Sequence, residues 1–403
     1  MAASELTEKG FAEIIARNGG RAFRVGSCVR DHFMGVTPKD IDFSIVGMVK
    51  KNFKMLFPEA EEFEKSYSVF GLTIDGIKCE LAFARTERKV AGGSKGVKVS
   101  TKPKITIEKD LVRRGTTINS MAFDILTGEI IDPFQGRRDI EAKILRANSQ
   151  DFFDDPMRAV RIAGQAAQFG FAIATDTLSL MIATAEEIAR EPMNRIATEL
   201  RKVLSEAREP GQFFKVLEES GLLKIICKEI ADLPNEEFRR VITGLDYVAR
   251  ATPNAKLRFA AFGLVLDKES LELWSNRMDL PGDWLAAAVT VRQTIEFLEY
   301  PTPDKIVDTI NKLRRGSLAI EEFDLITQAA ELKILKLGPM KEVMGSTQGA
   351  VVPDTVKGKE IGEWLRKKHV EAISEQLLAG KCTCSTFMKE KYSIFSSLST
   401  KND

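Results

Sequence analysis

The hydrophobic period of this chain changes once, near Asp154, and that change limits the fold more than any other feature. Before it, short runs alternate apolar and polar residues, the signature of half-buried strands. Residues 22–25 and 41–46 read as strands, with a short helix at 28–34 between them. Further alternating runs lie at 68–74 and 77–84, and at 120–125 and 129–132 around the turn Thr127-Gly128. Beyond Asp154 apolar residues recur every three to four positions, as in 156–170, 176–189, 194–207, 211–220, 236–250 and 284–298. That spacing predicts helices. The expected class is therefore α+β, a small mixed-sheet head followed by an all-α remainder. Within the head, segment 88–106 is rich in Gly and Lys and reads as a mobile loop. The N-terminal stretch reads as an amphipathic helix with Leu6, Phe11, Ile14 and Ile15 turned inward.

Bulk properties narrow the function classes. A length of 403 residues suggests two to four domains. The net charge of +1 means that any basic surface must be a local patch. The five cysteines are odd in number and irregularly spaced, which argues against a disulfide framework and fits a reducing, cytoplasmic setting. The pair Cys382-Thr383-Cys384 reads as two incidental thiols. Two histidines, His32 and His369, are too few and too separated for a His-rich zinc site. The chain has no apolar stretch of 18 residues, so no membrane span is expected.

The chemistry concentrates near the N-terminus. Phe23 to Asp31 reads as strand, Gly26-Ser27 turn and helix, an arrangement that turns backbone N–H groups toward an anion such as a triphosphate. Arg30, early in that helix, is placed to reach the same anion. In the next strand Ile41, Phe43 and Ile45 alternate with Asp40, Asp42 and Ser44, so the two aspartates share a face. Hard carboxylate oxygens at that spacing suit Mg²⁺. Two such ions would activate an attacking hydroxyl and neutralise a leaving pyrophosphate. Glu80, out of phase with Cys79, Leu81 and Phe83, is the candidate third catalytic carboxylate.

These residues resemble the family of tRNA nucleotidyltransferases and bacterial poly(A) polymerases, the second class of CCA-adding enzymes. The match runs through Gly26-Ser27-Cys28-Val29-Arg30-Asp31 and Lys39-Asp40-Ile41-Asp42. It continues through Arg113-Arg114-Gly115-Thr116-Thr117-Ile118-Asn119 and Asp154-Asp155-Pro156-Met157-Arg158-Ala159-Val160-Arg161. Leu81 to Lys89, Ile130 to Gly136 and, weakly, Gly358 to Gly362 also match. The order holds over roughly residues 20–205.

The resemblance implies a seahorse-like molecule with a nucleotidyltransferase head at 1–143 and a base-selecting neck at 144–207. A helical body at 208–285 and a tRNA-binding tail at 286–403 complete it. It implies addition of C, C and A to the 3′ end of tRNA from CTP and ATP without a template. Metal binding falls to Asp40 and Asp42. Nucleotide binding falls to Gly26, Ser27, Arg30, Arg114, Asn119, Asp155, Arg158 and Arg161. The last three share one helix face, and Pro156 suits a helix start. A carboxylate accepts from an exocyclic amine while a guanidinium donates to a ring nitrogen. Cytosine and adenine offer that pattern; uracil and guanine offer the reverse. Arg195 and Glu199 are expected to form a local ion pair on the neck.

Four positions depart from the family pattern: Ser27 for a glycine, Gly115 for an aspartate, Gly164 for an arginine and Asn194 for a glutamate. The missing aspartate at 115 predicts a looser check on the ribose 2′-OH. Two alternatives stay open on sequence: a relative making poly(A) or adding only CC or A, and a non-catalytic RNA-binding descendant. The runs Lys312 to Arg315 and Arg366 to His369 are candidate phosphate contacts. Both a monomer and a dimer are compatible with the sequence.

Overall fold

Strand alternation in the head produces one seven-stranded sheet whose two faces do different work. The computed structural model describes residues 6–64, 68–89, 97–148, 150–299, 301–329, 335–347, 352–353 and 355–379. The chain begins with α1 (Glu8–Arg17), β1 (Arg21–Val25), α2 (Ser27–Phe33), β2 (Asp42–Val46) and α3 (Lys50–Leu56). Then come β3 (Glu61–Glu64), β4 (Val69–Ile74), β5 (Ile77–Phe83), β6 (Thr86–Lys89), β7 (Val97–Ser100) and α4 (Ile107–Val112). The head closes with β8 (Ala122–Asp124), β9 (Ile130–Ile131) and α5 (Gly136–Ala142). The strand order is β3-β4-β5-β2-β1-β8-β9. Only β2 and β5 pair in parallel; the other neighbours are antiparallel.

On one face Phe43 and Ile45 from β2 join Phe70, Leu81 and Phe83 beneath Phe11 of α1 and Phe53 of α3. Phe11 and Phe43 stack at 5.5 Å, Phe53 and Phe70 at 5.0 Å. Each fully buried phenylalanine contributes roughly 1.5–3 kcal/mol by leaving water. The opposite face is covered by α4, whose Ile107 and Leu111 pack on Phe23, Val25 and Ala122. Asp42, Ser44 and Glu80 belong to that second face, because they alternate with the core residues of the first.

Segment 88–106 is not a plain loop. Its flanks are strands β6 and β7, paired from Thr86↔Ser100 to Lys89↔Val97, because β-branched Thr86, Val97 and Val99 favour extended backbone. Residues 90–96 lie outside the described residues, as do Cys382 and Cys384. Cys28, Cys79 and Cys227 are buried free thiols.

After the two-residue strand β10 (Ile144–Leu145) the chain becomes helical, with α6 (Met157–Phe169) first. Gly170, in the left-handed conformation at φ 68°, ends α6. A short β11 (Ala172–Ile173), α7 (Thr175–Ala183), α8 (Ala185–Ile188) and α9 (Met193–Glu206) follow.

The described chain divides into two compact units. The first comprises residues 1–199 and 216–226, the second 200–215 and 227–403. The second is all helical within the described residues. Its Trp274 is fully buried, 5.3 Å from Phe259 and 4.7 Å from Phe262. Buried Arg258 donates to the carbonyls of Leu204 at 3.1 Å and Ala207 at 2.9 Å. Also in this unit, Arg366 pairs with Asp304 at 3.1 Å and Asp308 at 2.9 Å, so this member of the basic run is engaged within the protein. No helix among the described residues is long and apolar enough to cross a membrane.

Candidate active site

Three segments meet where β2 begins. Gly26 follows the last residue of β1, Asp42 opens β2, and Glu80 lies beside Asp42 on parallel β5 in the register Asp42↔Glu80. Gly26 adopts φ 74°, a conformation that favours glycine. A Cβ there would stand 3.2 Å from Arg114 Nη1 and 4.0 Å from Asp42 Oδ2. The turn, the arginine and the acid are thus adjacent. Asp40, expected on the strand beside Asp42, instead lies exposed in the bend before β2, because the strand begins only at Asp42. Burial pushes the Asp42 carboxyl up to about 6; the Arg114 charge pulls it down, and Glu80 and Asp40 push it up.

One step along the same face Ser44 Oγ donates to Asp110 at 3.4 Å. Asp110, on α4, is fully buried. It accepts from Arg114 Nη2 at 2.8 Å, Arg113 Nε at 2.9 Å and the Arg85 amide at 3.1 Å. Burial pushes this carboxyl up, but Arg114 and Arg113 more than cancel it and hold it at about 2. Asp110 therefore fixes both arginines from below. An acid three and four positions before paired arginines on a helix was the available signal, and the sequence reading missed it.

Arg114 belongs to a cavity of about 290 Å³. From the head it is lined by Arg85, Glu87, Arg113, Arg114, Gly115 and Thr116. From the helical side come Asp155, Arg158, Arg161, Ile162, Gln165 and Arg195. Six arginines face two carboxylates there, an excess of four positive charges that suits a polyanion. Of the residues expected from sequence, this cavity gathers Arg114, Asp155, Arg158 and Arg161.

Asp155 is the most tightly held of them. It accepts from the Met157 amide at 3.2 Å, so it caps α6 and lines the cavity at once. Arg161 Nη1 donates to one of its oxygens at 3.1 Å and Arg195 Nη2 to the other at 3.2 Å. Behind these, Arg195 donates to buried Glu191 at 2.5 Å and Arg161 to Glu199 at 3.0 Å. The expected Arg195–Glu199 pair is replaced by this chain of five charges, because both residues turn toward α6. Arg158 is buried, and its Nη2 donates to the Arg113 carbonyl at 3.0 Å.

Arg30 and Asn119 form a neighbouring support instead of lining the cavity. Arg30 donates to Asn119 Oδ1 at 2.8 Å, pairs with Asp31 at 2.6 Å and lies 4.6 Å over the Phe169 ring. These contacts tie α2, and the Gly26-Ser27 turn that opens it, to the end of α6. Beyond the expected residues, the structure adds Arg85, Glu87, Arg113, Thr116, Gln165 and Arg195 as cavity walls.

Residues 22–146 match the family model described as Poly A polymerase head domain. Residues 170–233 match Probable RNA and SrmB- binding site of polymerase A. A CCA-adding enzyme of Marinobacter nauticus is 30% identical over 387 residues, covering 89% of this chain and 99% of that protein. Among solved structures, a CCA-adding enzyme in apo form II shares the fold at TM-score 0.67 and 22% identity, over 91% of this chain and 93% of its own. The Bacillus stearothermophilus CCA-adding enzyme in complex with CTP does so at TM-score 0.65 and 21% identity, over 96% of this chain and 98% of its own. With turn, acids, cavity and helix start in the family's order and a relative matched along nearly its whole length, the chain belongs to the CCA-adding enzyme family.

Proposed function

We propose that this protein adds C, C and A to the 3′ end of tRNA from CTP and ATP, without a nucleic-acid template, releasing pyrophosphate. The observation that carries the reading is the cavity's two ends. At one end Arg114 stands against Gly26 and Asp42; at the other Asp155 and Arg158 open α6.

Asp155 has both oxygens oriented by arginines and keeps lone pairs to accept the exocyclic amine of cytosine or adenine. Arg158 donates to the unprotonated ring nitrogen beside that amine. Uracil and guanine meet an unpaired acceptor and a donor facing a donor, at about 1–3 kcal/mol for each group left unsatisfied. The surplus arginines hold the triphosphate.

Asp42, Asp40 and Glu80 suit Mg²⁺. Asp42 is raised to about 6 by burial beside two further acids, and a cation would relieve that crowding. Among the described residues no three acidic, His or Cys side chains form a full metal cage. Mg²⁺ needs only one or two carboxylates, since phosphate oxygens and water complete its shell. When bound, the metal activates the tRNA 3′ hydroxyl and neutralises the departing pyrophosphate. Asp40 and Asp42 are its expected ligands, with Glu80 as the third carboxylate.

The head at 1–143 performs transfer, the neck at 144–207 selects the base, and the body and tail at 208–285 and 286–403 hold the tRNA. A cytoplasmic setting fits the three buried free thiols. The test is extension of a tRNA lacking its last three nucleotides, counting additions with CTP and ATP supplied separately and together. Three additions with both, two with CTP alone and none in Asp42→Ala are expected. A long A-run or a single A would instead mark a poly(A)- or A-adding enzyme.

A further inference from the structure

The cavity contains one polar feature that the charged network leaves unused. Thr116, buried to 2% exposure, donates from Oγ1 to Gln165 Oε1 at 3.2 Å, and both side chains line the cavity. This contact orients the amide of Gln165. No partner for its NH₂ is present among the described residues, and an amide NH₂ carries two donors.

The position of the pair follows from α6 used as a ruler. Asp155 and Arg158 mark its first turn. Its last residue, Phe169, lies under Arg30 of α2, the helix that Gly26 opens. Travelling along α6 therefore leads from the base-reading end toward the turn beside Asp42. Gln165 lies seven residues beyond Arg158, about 10 Å along the axis. On the head side three consecutive residues line the facing wall of the cavity. Arg114 touches the Gly26 turn, Gly115 lies against the Arg158 stem, and Thr116 meets Gln165. In a nucleotide the sugar is what lies between base and triphosphate. Gly115 carries no side chain there and has φ 87°, and the nearest Arg158 carbons stand 3.6 Å from where its Cβ would be.

We propose that Gln165 is a specificity-determining residue whose side-chain NH₂ donates to a ribose hydroxyl of the incoming nucleotide, with Thr116 as its positioning residue. The inference rests on the nucleotide-binding reading above and deepens it. It also reverses the expectation of a loose sugar check: the absent carboxylate at 115 is replaced by a neutral donor from α6.

The test is equilibrium binding of CTP, 2′-deoxy-CTP and 3′-deoxy-CTP with Mg²⁺, by titration calorimetry, to the full chain and to Gln165→Leu and Thr116→Val. Wild type is expected to favour CTP over at least one deoxy analogue by about tenfold, the worth of one hydrogen bond. Gln165→Leu loses that factor on CTP and leaves the analogue within twofold, so the ratio collapses. Thr116→Val, which keeps the shape, lowers the ratio in the same sense. Melting temperatures confirm that both variants fold. Equal losses on all three ligands, an unchanged ratio, or no CTP binding to wild type overturn the proposal. The tRNA-extension assay on the same preparations judges the functional reading separately: CTP binding with no extension would end that reading and leave the sugar ratio standing as evidence.

Discussion

The two carboxylate clusters of the first unit are opposites in charge balance. At the start of β2, Asp42 is half-buried beside exposed Glu80 with Asp40 near, and Arg114 is the cation that pulls its carboxyl down. Its carboxyl is raised to about 6. At the start of α6, Asp155 is gripped by Arg161 and Arg195, each backed by another glutamate. The first cluster is short of positive charge and invites a cation from outside. In the second, each oxygen of Asp155 already faces an arginine, so it presents fixed lone pairs to a neutral partner. On the proposed reading the same residue type would serve a metal in one place and a base edge in the other, with its neighbours deciding which.

The largest effect expected from breaking this contrast is at Asp42. Asp42→Ala should lower the single-turnover rate of nucleotide addition by about 10³-fold or more, since loss of metal-based charge stabilisation is worth several kcal/mol. CTP binding should weaken far less. A rate within tenfold of wild type would remove the metal from the account.

Next comes Asp155→Asn, which exchanges acceptor for donor on one side and leaves Arg161 and Arg195 short of an anion. We expect about a 10²-fold loss in kcat/KM for CTP and ATP. The loss for UTP should be much smaller, so the C-to-U ratio falls. Equal losses for all nucleotides would make Asp155 a helix cap only.

Asp110→Asn tests the support beneath Arg113 and Arg114 and separates stability from chemistry. The Asp110 carboxyl is held at about 2, below its unfolded value, so its contribution is present above about pH 4 and disappears as pH falls toward 2. The depression corresponds to on the order of 2 kcal/mol. Denaturant titrations of wild type should show that loss between pH 4 and 2, and Asp110→Asn should flatten it. An unchanged slope would contradict the role given to Arg113 and Arg114.

The smallest effect is expected at Arg366, an exposed pairing in the second unit. Its two aspartate partners already neutralise it, and exposed ion pairs contribute little. Arg366→Ala should leave the melting temperature and the KM for tRNA within error. A severalfold rise in KM would restore it as a phosphate contact.

Much of the site was legible because its residues obey local periods. Alternation in 41–46 put Asp42 opposite Phe43 and Ile45, and the sheet keeps that division. Helical spacing put Asp155, Arg158 and Arg161 together, and all three line one cavity. What escaped depends on contacts distant in sequence. Asp110 looks like an ordinary acid on a short helix until the sheet buries it. Arg195 and Glu199 have the spacing of a local pair, yet Asp155 and Arg161 lie closer once α6 packs against α9. Arg30 has the place of an anion ligand but is engaged by Asn119 and Phe169, 89 and 139 positions along. The Gly- and Lys-rich stretch after Arg85 hid strands β6 and β7, whose pairing outweighs composition.

The most direct measurement is a crystal structure of the protein with CTP and Mg²⁺. The expected result is the cytosine amine on Asp155, its ring nitrogen facing Arg158, and a metal held at Asp42. A base seated outside the cavity, or a metal held away from Asp42, would contradict it.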